Sequence, residues 1–227
     1  MFLDIFAGRR VLVTGHTGFK GAWLSQWLLD LKAEVHGLAL APDTTPALFD
    51  LLDLARSLAS HRICDIRDAS AVQQAVSAIR PEIVLHLAAQ PLVRLSYREP
   101  AATWATNVMG TINLLEALRE TGGTMACVVV TSDKCYENRE WVWGYRENEA
   151  MGGHDPYSSS KGAAELAVAS WRRAFFQDPQ GLRLASARAG NVIGGGDWSA
   201  DRIVVDFVKA IVAGTSLNLR NPHATRP

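Results

Sequence analysis

Short apolar runs alternate with longer amphipathic stretches from the start of the chain. Val11-Leu12-Val13-Thr14 predicts a first buried strand, followed by a glycine turn and a helix from about Ala22 to Lys32. Val35 to Leu40 predicts the second strand, closed off by Pro42 and Pro46. Leu48 to Leu58 reads as one helix and Arg62-Ile63-Cys64 as a third short strand. Asp68 is placed to cap a helix from Ala71 to Ile79, with Pro81 beyond its stop and a fourth strand from Ile83 to Leu87. From Pro100 to Arg119 the residues Val108, Ile112, Leu115 and Leu118 recur at helical spacing until Gly122-Gly123 ends the run. Ala126 to Thr131 predicts the fifth strand, Tyr157 to Phe176 a second long helix, and Leu182 to Ala187 the sixth strand. Past the loose Gly194-Gly195-Gly196-Asp197-Trp198, a helix is expected from about Arg202 to Ala213 and a short strand from Leu217 to Arg220.

Strands that read as continuous apolar runs, separated by helices, belong to a parallel sheet covered on both faces. The expected class is therefore α/β, a Rossmann-like doubly wound parallel sheet with helices on both sides. No repeat, low-complexity tract or charge block divides the chain, so one domain is expected over 1–190.

Composition narrows the function classes. The 227 residues are 48% hydrophobic, enough for one sizeable core, and 23 Lys plus Arg balance 23 Asp plus Glu. That balance argues against a polybasic surface and against nucleic acid as a partner. Cys64, Cys127 and Cys135 lack metal-ligand spacing and read as free thiols in a reducing compartment. The six histidines form no metal-ligand pattern, so no metal is expected. Residues 1–10 lack a secretory pattern and no apolar run spans a bilayer, so a cytoplasmic, non-membrane protein is expected.

Candidate chemistry begins at Thr14-Gly15-His16-Thr17-Gly18-Phe19-Lys20-Gly21, between the first strand and the first helix. Glycines at 15, 18 and 21 allow a tight turn, close approach of backbone to a pyrophosphate, and close helix–strand packing. The helix amino terminus then stabilises the diphosphate. The second strand ends without the usual ribose-binding acid, and Asp43 stands farther along the loop. No arginine clearly replaces that acid, so NAD is preferred to NADP. Asp65 reads either as an acceptor for the adenine amino group or as a solvated loop acid.

Tyr157 and Lys161 share one helix face four residues apart, where an ammonium favours the phenolate form of a tyrosine. Ser132, just after the fifth strand, is placed to bond the same substrate oxygen. Asp133 and Lys134 beside it supply an extra acid and an extra candidate base, more than a simple alcohol dehydrogenase needs; a surface ion pair is the bland alternative. His16 reads as a phosphate-side or packing residue, and His86 as a buried, hydrogen-bonded core histidine. Trp141 and Trp143 read as part of a lid or of a subunit contact.

Taken together, Thr14 to Gly21, Ser132 to Tyr136, Tyr157 to Lys161 and Arg188 to Trp198 resemble the extended short-chain dehydrogenase/reductase superfamily. Within it Gly15 to Gly21, Thr131 to Tyr136, Gly190 to Trp198 and the closing Arg220 to Pro227 resemble the CDP-glucose 4,6-dehydratase branch. The resemblance implies a lyase that uses NAD to oxidise C4 of a nucleotide-linked glucose, eliminates water across C5 and C6, and returns the hydride to C6. Tyr157, Ser132 and Lys161 then serve the C4 oxidation, Asp133 protonates the departing 6-hydroxyl, and Lys134 stands where related enzymes carry a glutamate base. It further implies Gly15, Thr17, Gly18, Phe19, Gly21, Asp65, Ala88, Gln90 and Asn107 as cofactor contacts, with Pro91 beside Gln90. Asn107 is also expected to order water and backbone beneath Tyr157. Asn191 and Arg202 are the expected substrate contacts. CDP-glucose or a related nucleotide sugar, a homodimer, and a role in deoxysugar and O-antigen synthesis follow from the same resemblance. Members of the branch are longer, so 191–227 reads as the start of a truncated sugar-nucleotide-binding region. The alternatives are a sister dehydratase, reductase or epimerase, or an NAD-binding chain without activity.

Overall fold

Among residues 4–219 and 222–223, which the computed structural model of the protein describes, six strands form one sheet. They are β1 (Arg10–Thr14), β2 (Glu34–Ala39), β3 (Ser60–Ile63), β4 (Ile83–His86), β5 (Ala126–Val130) and β6 (Arg183–Ala187). Their order is β3-β2-β1-β4-β5-β6 and every neighbouring pair is parallel, with Val11 opposite both Val35 and Ile83. The chain steps outward from β1 to β3 and then crosses back to β4 on the other side of β1. The ends of β1 and β4 are therefore the topological switch point, where a doubly wound sheet opens its ligand crevice.

The helices are α1 (Phe19–Asp30), α2 (Leu48–Leu51), α3 (Leu54–Ser57), α4 (Ala69–Ile79), α5 (Val93–Arg98), α6 (Pro100–Trp104), α7 (Gly110–Thr121), α8 (Pro156–Ala174) and α9 (Ile203–Ala213). The pleat sorts them into two layers. Val11, Val13 and Val35 point to one face and pack with Leu28 of α1, Phe49 of α2 and Leu54 of α3. Leu12, Val84, Cys127 and Val129 point to the other and pack with Val76 of α4, Leu115 of α7 and Val168 of α8. The doubly wound architecture expected from the alternating runs is the one observed.

Several boundaries differ from expectation. The first helix begins at Phe19, inside the glycine turn, rather than at Ala22. The single helix expected over Leu48 to Leu58 is two short ones, because Asp53 between them adopts a left-handed conformation with φ of 48°. The stretch after Pro100 is helical throughout but widens into a π-turn at Ala105–Met109, which holds Asn107 buried between α6 and α7. α5, bracketed by Pro91 and Pro100, was not anticipated. Residues 217–219 form no strand, and Arg220, Asn221 and 224–227 of the closing motif lie outside the described residues. No helix among the described residues is long and apolar enough to cross a membrane.

Candidate active site

A cleft of about 280 Å³ opens at the switch point. Its floor is the β1–α1 turn. Gly15 has φ of +76°, and a Cβ there would lie 2.7 Å from the backbone nitrogen of Ala88. At Gly21 a Cβ would lie 2.0 Å from the Gly15 carbonyl oxygen. Backbone thus meets backbone where any side chain would intervene. The first turn of α1 has no side-chain cap and no acidic residue, which leaves its amino-terminal N–H groups free for an anion. Gly15, Thr17, Gly18, Phe19 and Gly21 all line the cleft, and this cradle fits the diphosphate of a dinucleotide. The Thr17 hydroxyl donates to the Leu40 carbonyl at 2.8 Å, tying the turn to the end of β2.

The adenosine end is less simple. Asp43 does reach the cleft, as do Asp65 and Arg67. Asp65 is not a bare loop acid: Arg67 donates through its side chain and its backbone N–H, at 2.5 to 3.0 Å, and holds the carboxyl below its usual range. Ala88 and Pro91 also face the cleft. Gln90 and Asn107, expected as cofactor contacts, do not line it. The Gln90 N–H donates to Asn107 Oδ1 at 2.8 Å, while Asn107 Nδ2 donates to the Gln90 carbonyl at 3.1 Å and to Ser160 Oγ at 2.9 Å. Both amide hydrogens of Asn107 are spent inside the protein. Ser160 in turn donates to the Tyr157 carbonyl at 2.6 Å, so Asn107 is linked through Ser160 to the backbone of Tyr157.

α8 starts the chemical end. Asp155 caps it by accepting the Ser158 N–H at 2.9 Å, Pro156 follows at the first helical position, and Ser96 Oγ accepts the Tyr157 N–H at 3.1 Å. Tyr157 and Lys161 both line the cleft and both are buried. Burial and then the nearby Lys20 lower the Lys161 pKa to about 8, against the opposing pull of Glu165. The turn after β5 packs against this helix, since a Cβ at Gly162 would lie 3.1 Å from the Cys135 carbonyl oxygen. There Ser132 Oγ donates to Asp133 Oδ1 at 2.8 Å and accepts the Lys134 N–H at 3.2 Å. The Asp133 N–H donates to the Ala189 carbonyl at 3.0 Å, which brings the turn beside Gly190 and the exposed Asn191. Arg202 lines the cleft with Asp197, 3.9 Å from it. The turn at 132–134 and Asn191 are not themselves among the cleft-lining residues.

The three cysteines are buried and unpaired. His16 is fully buried, 2.7 Å from His61 and edge-on to Phe49, so packing is its role; burial and then His61 lower its pKa to about 4. His86 is a buried core histidine as expected, its pKa lowered to about 3 by burial and then by Lys161. Trp141 and Trp143 stack at 5.2 Å within an aromatic cluster that includes Tyr145.

Two features were missed from the sequence. Lys20 lines the cleft in the first turn of α1, against the helix dipole, a placement that itself signals a nearby anion. Glu165, one turn beyond Lys161, is buried and accepts hydrogen bonds from Thr131, Ser186 and Arg188, the last at 2.9 Å. Burial opposes its ionisation, but these donors outweigh it and hold the carboxyl below its usual range. Arg188 also donates to Tyr136 at 2.8 Å and to the Glu147 carbonyl at 2.9 Å. The continuation of Tyr157 and Lys161 by a further acid at the same spacing was the available signal.

Comparison with known proteins places this geometry. Residues 12–219 match the family model described as GDP-mannose 4,6 dehydratase. The chain is 53% identical over 228 residues to the CDP-glucose 4,6-dehydratase of Salmonella typhimurium, covering 99% of this chain and 63% of that protein. It thus spans less than two thirds of the length of that relative. Among solved structures, the dTDP-glucose 4,6-dehydratase DesIV of Streptomyces venezuelae, with NAD and TYD bound, superposes with a TM-score of 0.78 at 25% identity, over 92% of this chain and 63% of that one. The UDP-glucose 4-epimerase of Thermus thermophilus in complex with NAD gives 0.79 at 28% identity, over 92% and 65%.

Proposed function

The chain belongs to the GDP-mannose 4,6-dehydratase family, and on that premise we propose that it converts CDP-D-glucose to CDP-4-keto-6-deoxy-D-glucose with NAD⁺. The observation that carries the reading is the 53% identity to the Salmonella CDP-glucose 4,6-dehydratase along essentially the whole chain. The cradle of Gly15, Gly18 and Gly21 at an uncapped helix start supports a dinucleotide, and Arg67, which lines the adenosine end of the cleft, is held by Asp65, which favours NAD.

Bound NAD⁺ supplies removal of hydride from C4 of the glucosyl unit and its later return to C6. The protein's own groups manage the protons. Tyr157 takes the proton of the 4-hydroxyl as C4 is oxidised, with Lys161 favouring the phenolate electrostatically and Ser132 bonding the same oxygen. The 4-keto group acidifies the hydrogen on C5. Asp133 protonates the departing 6-hydroxyl while Lys134 takes the C5 proton, and water is lost across C5 and C6. As the hydride returns, C5 is reprotonated and the 4-keto-6-deoxy product is complete. Asn191 and Arg202 hold the nucleotide sugar, with 191–227 as the start of its binding region. A cytoplasmic homodimer serving deoxysugar synthesis for surface polysaccharide completes the proposal.

Incubation with NAD⁺ and CDP-, dTDP-, GDP- or UDP-glucose, followed by mass, tests it. Loss of one water from CDP-glucose alone, with product absorbance in alkali, is the expected result. Loss of water from another nucleotide sugar reassigns the substrate; epimerisation without loss of mass, or binding of NAD⁺ without turnover, refutes the dehydratase reading.

A further inference from the structure

Below the cleft, a buried line of polar groups joins β1 to α8. His86 Nδ1 lies 2.7 Å from Thr14 Oγ1, and His86 Nε2 lies 3.0 Å from Thr111 Oγ1. Distances alone leave the ring's proton unplaced, but counting hydrogens places it. Thr111 Oγ1 has one hydrogen and donates it to the Asn107 carbonyl at 2.8 Å, back across the π-turn. Toward His86 it is therefore an acceptor, and Nε2 must carry the ring hydrogen. In the neutral ring Nδ1 is then the acceptor and takes the hydrogen of the Thr14 hydroxyl. That leaves the Thr14 lone pairs for the Leu87 and Ala88 N–H groups, both at 3.2 Å. Every donor in the line has an acceptor, and the polarity is fixed from end to end.

The two ends matter. Thr14 immediately precedes Gly15, and Ala88 is the residue whose backbone the Gly15 turn abuts. At the other end Asn107 holds Gln90 and Ser160, and Ser160 holds the carbonyl of Tyr157. From this geometry we infer that His86 is a positioning residue, fixed in the Nε2–H tautomer, that sets the cofactor turn and the loop after β4 against the helix bearing Tyr157. The positioning role rests on the proposed NAD-dependent reading; the tautomer does not.

Long-range proton–nitrogen correlation on the chain labelled with ¹⁵N-histidine reads the tautomer directly, the His86 signals being those lost in His86→Gln. A protonated Nε2 and a bare Nδ1 are expected. A protonated Nδ1, or a mixture in the unsubstituted protein, overturns the inference. The functional arm compares His86→Gln with His86→Leu. The glutamine amide offers an acceptor oxygen and an N–H donor in place of the ring's two nitrogens, whereas leucine leaves buried threonine groups unpaired. With all three proteins shown to be folded, His86→Leu is expected to weaken NAD⁺ binding and turnover by about tenfold or more, and glutamine to restore most of the loss. Equal values in all three proteins refute positioning. If the unsubstituted protein neither binds NAD⁺ nor turns over a nucleotide sugar, the functional reading fails and the tautomer measurement still decides the assignment.

Discussion

Along α8 the buried residues include Tyr157, Ser158, Ser160, Lys161 and Glu165, while Leu166 on the same helix is 63% exposed. Along α9 the sense is reversed: Val205 is buried, and Ile203, Phe207, Ile211 and Val212 are exposed, Val212 at 83%. Hydrophobicity alone would have turned both helices over. What separates them is partnership. Ser158 meets the capping Asp155, Ser160 sits between Asn107 and the Tyr157 carbonyl, and Glu165 has three donors. A polar group enters the interior when its hydrogens and lone pairs are met there. Lys161, whose ammonium donates to the Val130 carbonyl at 3.5 Å, marks the site, since burial and then Lys20 bring its pKa down to about 8.

The largest expected effect separates the chemistry of α8 from its packing. Tyr157→Phe removes the hydroxyl and leaves the ring. Turnover of CDP-glucose, followed by mass, is expected to fall roughly 10²–10⁴-fold, while the denaturation midpoint barely moves. Retained turnover would remove Tyr157 from the proposed proton transfer and reduce the polar face of α8 to a structural device.

Next comes the ion pair. Glu165→Leu leaves Arg188, whose side chain is 16% exposed, without its carboxylate. We expect a loss of about 3–5 kcal/mol of unfolding free energy in urea. Glu165→Leu combined with Arg188→Met is expected to recover most of it, because apolar replacements need no partner. If the double variant is no more stable than the single one, the pair is not acting as a unit.

A smaller effect comes from the histidines buried neutral beneath the cleft. Folded, His86 and His16 have pKa values of about 3 and about 4; unfolded, both return to 6.5. As pH falls below 6.5 the unfolded chain binds protons that the native one does not. Stability therefore decreases, by about 1.4 kcal/mol per pH unit for each histidine, until the native values are reached. Urea midpoints between about pH 7 and pH 5, above the ordinary carboxylate range, check this. A flat profile would mean that the two rings are accessible to protons in the native protein.

These regions were unequally legible in the sequence. The glycine turn could be read because its constraint is local: a strand, three glycines at fixed spacing and a helix specify a backbone shape. Tyr157 and Lys161 could be read because helical periodicity alone puts them on one face. Glu165 lies on that same face, but its burial depends on Arg188, Ser186 and Thr131 from three other segments, which no spacing reveals. Asn107 was assigned to the cofactor because the π-turn that swings its amide toward Gln90 and Ser160 has no signature in an otherwise regular helical pattern. The break at Asp53 escaped for a related reason, since an apolar run from Leu48 to Leu58 says nothing of a single left-handed residue within it.

α9 supplies the smallest effect and the sharpest control. If exposure rather than residue type governs what a side chain contributes, then Phe207→Ser, Ile211→Gln and Val212→Lys are expected to change unfolding free energy by no more than about 0.5 kcal/mol each. Val205→Ala on the same helix, at 6% exposed, is expected to cost at least about 1 kcal/mol through lost burial. The four variants share a helix of eleven residues, and alanine has the highest helix propensity of the four replacements, so propensity works against the loss expected at Val205 and cannot be its cause. A loss of 2 kcal/mol or more at Phe207 or Ile211, far outside the range of a surface substitution, would show that this face is covered in solution. It would then have to be grouped with the buried face of α8.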